Sequence, residues 1–160
     1  MIKSVLHKTT KYCFLAGAIL AGLLYASFKP GPDDTELLAW SNKCFTESYD
    51  TTGMYKLKSW QLTLTGDAFI RLRKIYKNGK EEYYSFHLQR FNDMAYLGTT
   101  TSGTLQLKTI ADDIIVQTYN DPKGDIDSVA TQLNLPFKNM EPQRLDSLQT
   151  ALNYFKNKSL

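Results

Sequence analysis

The chain has 160 residues, 42% of them hydrophobic and 22% charged, enough for one domain core and too few for two. Its formal charge of +3 belongs to one end: Lys3, Lys8, Lys11 and Lys29 lie in residues 1–29 with no acid among them, which leaves 15 of the 19 bases against all 16 acids in residues 30–160. So nearly neutral a domain does not supply the basic surface that drives counterion release, and no nucleic-acid partner is expected.

Tyr12–Phe28, YCFLAGAILAGLLYASF, is 17 residues without a charge. As a helix it covers roughly 25 Å, at the short end of what a hydrocarbon core of about 30 Å requires. The lysines ahead of it orient the N-terminus to the cytoplasm. Two readings follow. One is an uncleaved signal anchor, favoured because the run is long for an h-region and no A-x-A stands at its end. The other is a secretory signal cleaved after Ala26. Both export the rest of the chain. The expected location is the bacterial inner membrane, single pass with a periplasmic domain, or the periplasm or exterior after cleavage. Residues 12–28 are thus the contact with the membrane.

The expected organisation is an anchor or signal over 1–29, a linker and short helix over 30–53, and a sheet domain over 54–160. Pro30-Gly31-Pro32 is a stiff break. Asp33 or Asp34 caps a helix that carries Leu37, Leu38, Trp40 and Phe45 and ends before Thr51-Thr52-Gly53. From Met54 the period drops to two, with a phase slip near Lys58-Ser59 that predicts a bulge. Gly66-Asp67 is a turn. Asn78-Gly79 joins FIRLRKIY to EEYYSFHLQRF and is the strongest hairpin signal, with positive φ expected at both central residues. The charged residues beside that turn are expected to face water. Runs at Met94–Thr101 and Thr104–Ile110 meet across Ser102-Gly103, and Ile114–Tyr119 adds another. After 120–124 a short helix is expected from Asp125 or Asp127 through Leu133, ended by Pro136. Pro142 opens a last helix with Leu145, Leu148, Leu152 and Phe155 on one stripe. The sum is an α+β fold: an antiparallel meander of about six strands with flanking helices, including a C-terminal amphipathic helix.

Chemistry-bearing residues are sparse. His87 is the only imidazole and Cys44 the only thiol after residue 29. One of each builds no ordinary zinc site, and there is no G-x-S-x-G, P-loop or H-E-x-x-H. No cofactor, metal or catalytic residue is expected. Cys44 is expected to be buried. The acidic loop Asn120–Asp127 reads as a turn and cap rather than a calcium loop. Arg71 and Arg73 share one strand face, opposite Ile70 and Leu72, with Tyr83 and His87 on the matching face of the next strand. Arg71, Arg73, Tyr83 and His87 are therefore the candidate binding residues, with Glu81 and Glu82 as cross-strand partners for the bases. The expectation is a non-catalytic, membrane-tethered envelope domain that binds a partner protein. An exported small-ligand or lipid-binding domain is the alternative, and an envelope enzyme using His87 is a third.

Overall fold

The computed structural model describes residues 33–159; the segment Tyr12–Phe28 and the Pro30-Gly31-Pro32 linker lie outside them. Helix α1 spans Asp34–Ser48 and α2 spans Pro142–Lys158. Between them run β1 (Leu57–Leu64), β2 (Phe69–Tyr76), β3 (Glu81–His87), β4 (Phe91–Gly98), β5 (Ser102–Thr109), β6 (Ile114–Tyr119), β7 (Asp127–Ala130) and β8 (Gln132–Lys138). The fold is α+β, but the single sheet of about six strands is corrected to two antiparallel sheets. One has five strands in the order β1-β2-β3-β6-β7, the other three in the order β4-β5-β8.

The strands still meander. β3 passes through a 3-10 turn, Leu88–Arg90, into β4; β5 bends over 110–113 into β6; β7 bends at Thr131 into β8. Counted as three bent strands, these follow β1 and β2 in chain order, each paired with its predecessor. Each bend hands a strand from one sheet to the other, as at the corners of packed sheets. The bends meet at one corner. Ile110 N–H donates to the Arg90 carbonyl at 3.0 Å and Thr109 N–H to the Thr131 carbonyl at 2.9 Å. Arg90 also bonds Asp113 at 2.9 Å.

The inner faces bury Leu62, Leu64, Ile70, Leu72, Phe86, Leu105, Leu107, Leu133, Leu135 and Phe137 together with Phe45 of α1 and Leu148, Leu152 and Phe155 of α2. The apolar stripe of α2 thus finds its cover, at the 3-10 turn, β4 and α1. α1 also seals an edge. Asn42 donates to the Leu64 carbonyl at 2.9 Å and accepts from Leu64 N–H at 2.8 Å, satisfying the free side of β1 at its last residue.

Several local expectations hold in altered form. The register of β1 on β2 slips between Leu57 and Ser59, where the sequence phase slips. The Asn78-Gly79 hairpin forms, but only Gly79 is left-handed, at φ +87°. Gly79 N–H bonds the Tyr76 carbonyl at 3.0 Å, so the loop is a three-residue turn with glycine at the bulge position. The β4–β5 hairpin turns at 99–101 rather than at Ser102-Gly103. Gly98 and Gly103 instead pair within the ladder, where a Cβ on Gly103 would lie 2.6 Å from the Tyr96 ring.

The expected helix over 125–133 is a strand. Leu133, Leu135 and Phe137 are buried while Asn134 is exposed, a period of two. Pro136 fits inside β8 because its carbonyl points to the outer edge, where it accepts from Asp50 N–H at 2.8 Å. A residue's nitrogen points the same way as its carbonyl, so the missing N–H costs the β5 ladder nothing.

Candidate functional site

The alternation of β2, β3 and β6 places Arg71, Arg73, Tyr83, Ser85 and Gln117 on the face of the five-stranded sheet turned away from the core. Arg71 stands opposite Thr63 and Ser85; Arg73 stands opposite Gln61 and Tyr83; Tyr83 stands opposite Gln117. They line an open depression of about 430 Å³. Of the four residues chosen from sequence, the structure brings Arg71, Arg73 and Tyr83 together there. His87 lies outside its lining.

Arg73 is held tightly. Its Nε and Nη2 bond Glu81 at 3.2 and 2.9 Å, and its guanidinium lies 5.3 Å from the centre of the Tyr83 ring. The Tyr83 hydroxyl donates to the same carboxylate at 2.5 Å. Glu81 is consequently held below its ordinary pKa, first by the Tyr83 hydroxyl and then by Arg73. Burial and that same bond hold the Tyr83 phenol above its ordinary range, the bond to Glu81 being the larger cause. Arg71 is looser. It meets Asp67 only at 3.7 Å and lies 5.0 Å from the Phe69 ring centre. Cation–π contacts of this kind orient a guanidinium without consuming its hydrogen-bond donors.

His87 serves the backbone. Its Nδ1 accepts from Gln89 N–H at 3.2 Å, capping the 3-10 turn, and its ring meets Phe69 edge-on at 4.8 Å. Further along the outer face, Ile115 and Val129 pair across β6 and β7 and are 47% and 57% exposed. Tyr119 packs edge-on against Tyr83 at 5.5 Å. This apolar pair, one member of it on the edge strand β7, is not singled out by the sequence. Each member is an exposed β-branched residue of its own strand, and the pairing is hidden because the sequence around Val129 reads as helix.

A second cluster lies on the inner side, at the end of the sheet where β2 turns into β3. Glu82 and Lys80, beside the turn, are expected from sequence to face water, yet together with Lys74 of β2 they are largely covered. The side chains of Glu82, Lys74 and Lys80 are only 14%, 16% and 24% exposed; Lys74 and Glu82 are cross-strand neighbours on the same side of the sheet as Ile70, Leu72 and Phe86. The Glu82 carboxylate collects Lys80 at 3.0 Å, Lys74 at 3.6 Å, the Tyr76 hydroxyl at 2.9 Å and the Tyr84 hydroxyl at 3.3 Å. Burial pushes its pKa up. The bonds from Lys80 and Tyr76 and the charge of Lys74 push it down further, to a net value below the ordinary one. Lys80 also bonds Asp121 at 2.7 Å. Burial raises Tyr84 to about 12 and Tyr49 to about 12, and burial with the Glu82 bond raises Tyr76 as well. Near neutral pH all three phenols stay protonated; Tyr76 and Tyr84 donate to Glu82, while the buried Tyr49 hydroxyl has no hydrogen-bond partner.

Cys44 is buried at 1% exposure, as expected. Its Sγ accepts from Arg144 Nε at 3.3 Å, and Arg144 also bonds Glu47 at 2.7 Å. The acidic loop is a turn. Gly124 N–H bonds the Asp121 carbonyl, the Asp121 carboxylate accepts from Lys123 N–H, and Asp125 accepts from Asp121 N–H. Among the described residues no group of three His, Cys, Asp or Glu is placed to hold a metal, and no helix is long and apolar enough to cross a membrane. Compared with known proteins, the chain matches no family model, no curated protein and no solved structure.

Proposed function

We propose that this chain is a non-catalytic, membrane-tethered extracytoplasmic module that docks a partner protein on the outer face of its five-stranded sheet. The observation that carries this reading is the zoning of that face. Two arginines stand on β2, Tyr83 and hydrogen-bonding side chains occupy the middle, and the exposed Ile115–Val129 pair lies beside the β7 edge. Arginine and tyrosine dominate the energetics of protein interfaces, and an apolar anchor beside them completes the usual composition. The Phe69 and Tyr83 rings hold the guanidinium groups in place before a partner arrives, which lowers the entropy lost on docking.

A photo-crosslinking residue tests it. Placed at Gln117 in the full-length chain in native membranes, it is expected to give one discrete adduct. Placed at Asn153, on the exposed side of α2, it is expected to give none. Arg73→Ala with Tyr83→Ala should lower the Gln117 adduct at least about tenfold, the loss of one hot-spot contact. Adducts of equal yield from both positions, or an adduct indifferent to the double substitution, would overturn the reading.

A further inference from the structure

We infer that the lysine-rich end of the five-stranded sheet, at Lys56, Lys80 and Lys123, is a binding site for a phosphate group carried by a small organic molecule or a lipid headgroup. The inference is independent of the outer-face reading, since it uses the opposite side of the sheet.

The site is a cavity of about 420 Å³ lined by Lys56, Tyr76, Asn78, Lys80, Glu82, Asp121, Pro122 and Lys123. Three sequence-distant segments build it: the entry to β1, the β2–β3 turn and the β6–β7 loop. They are tied together by Lys77 N–H bonding the Lys56 carbonyl at 2.8 Å and by Lys80 bonding Asp121. The site is an open depression like the one on the outer face, and its size admits a ligand rather than a lone ion.

The side-chain acceptors of the lining are already engaged by groups of the protein itself, and donors are left over. Glu82 is saturated by two lysines and two tyrosine hydroxyls. Asp121 accepts from Lys80 and from Lys123 N–H. The Asn78 carbonyl oxygen accepts from Lys80 N–H, leaving its amide NH₂ to donate. Lys56 and Lys123 are exposed and make no ion pair among the described residues, although the Lys123 charge helps hold Asp121 below its ordinary pKa; Lys56 lies 5.8 Å from the Tyr55 ring centre. With both acids internally neutralised, the open capacity consists of ammonium groups and an amide. That set fits an anion.

The type of cation narrows the anion. No arginine lines the cavity, so there is no planar fork to match a carboxylate. Lysine is a compact charge with three rotatable donors, suited to a tetrahedral oxyanion. The Tyr76 ring and Pro122 supply apolar wall for the organic body that the remaining volume admits.

Position within the fold adds a direction. The chain enters the described unit at Asp34, which pairs with Lys158 of α2. Lys158 shares a cleft with Gly66, Asp67 and Ala68 at the β1–β2 turn. The lysine cavity lies at the other end of β1, eight residues or roughly 26 Å away. It therefore faces away from the point of chain entry.

The test uses the full-length chain in phosphatidylcholine nanodiscs. Calorimetric titration with pyrophosphate is expected to show saturable binding with Kd below about 1 mM, and acetate at equal ionic strength is expected to give none. Lys56→Ala with Lys123→Ala should weaken pyrophosphate at least tenfold, and Arg71→Ala with Arg73→Ala should leave it unchanged. Both lysine side chains are exposed and form no ion pair or hydrogen bond among the described residues, so the fold's contacts survive their removal. Co-sedimentation with vesicles containing phosphatidic acid separates the sources. Sedimentation that is lost in the lysine variant and competed by pyrophosphate assigns a headgroup; soluble binding without sedimentation assigns a free phosphate. Absence of pyrophosphate binding, equal binding of acetate, or an affinity unchanged by the lysine substitutions would overturn the inference.

Discussion

Gly79 and Gly103 sit in or beside hairpins for different physical reasons. At Gly79 the backbone is left-handed, and an added Cβ would meet nothing within 4 Å. Gly79→Ala should therefore cost only the conformational term, about 1–2 kcal/mol. At Gly103 the same Cβ would meet the Tyr96 ring at 2.6 Å and the Leu97 carbonyl at 2.7 Å. Backbone cannot yield as a side-chain tip does, so Gly103→Ala should cost more, about 2–3 kcal/mol of overpacking. Urea midpoints of the two variants of the full chain check the order, and equal losses would refute it. At this scale much was legible. The Asn78-Gly79 dipeptide identified the turn because glycine is where the left-handed residue belongs, although asparagine did not have to share that conformation. The roles of His87 and Glu82 were not legible. Capping a 3-10 turn, or collecting partners from two strands and a turn, depends on backbone direction that neighbouring residues do not encode.

Among the elements, α2 is the one whose sequence and structure agree most closely. Proline at its first turn and a stripe spaced three and four define both its start and its buried face. Leu152 is fully buried and Leu145 only partly. Leu152→Ala should cost about 2–5 kcal/mol, Leu145→Ala less than half of that, as read from thermal midpoints. The β7–β8 segment is the counterexample. Asp127 resembles a helix cap and Pro136 a helix stop, yet both lie in strands. Two short strands bent at Thr131 never show alternation long enough to outweigh those local signals. The same bend hid the division into two sheets and, with it, the exposed Ile115–Val129 pair. The outer-face residues Arg71, Arg73 and Tyr83 were legible because they lie in the long, unbent part of the meander.

For the whole molecule, ionisation links shape to pH. Glu47, Glu81, Asp113 and Asp121 each titrate below their ordinary values, held there first by Arg144, Tyr83, Arg90 and Lys80 respectively, and Glu82 does so by the balance described above. A carboxyl with a lower pKa folded than unfolded stabilises fully above its unfolded value and loses that contribution as pH falls through the folded one. The thermal midpoint should therefore hold steady from pH 7 to about 5 and fall below the ordinary carboxylate values of 3.8 to 4.5. Glu82→Gln should cost about 1–2 kcal/mol of stability at pH 7 for its lost charged hydrogen bonds, lowering the thermal midpoint there, and make the acid decline shallower. A decline as steep in that variant as in the natural chain would show that Glu82 is not a principal contributor.

The shared corner has a consequence for how the molecule opens. The five-stranded sheet takes its strands from 57–87 and 114–130, and the three-stranded sheet takes its own from 91–109 and 132–138. Neither is a continuous stretch of chain, so neither has an interior that survives the loss of the other. Amide hydrogen exchange should then show one slow class spanning both sheets, as Leu72 and Phe86 in one and Leu105 and Leu135 in the other release their protons through a single global unfolding.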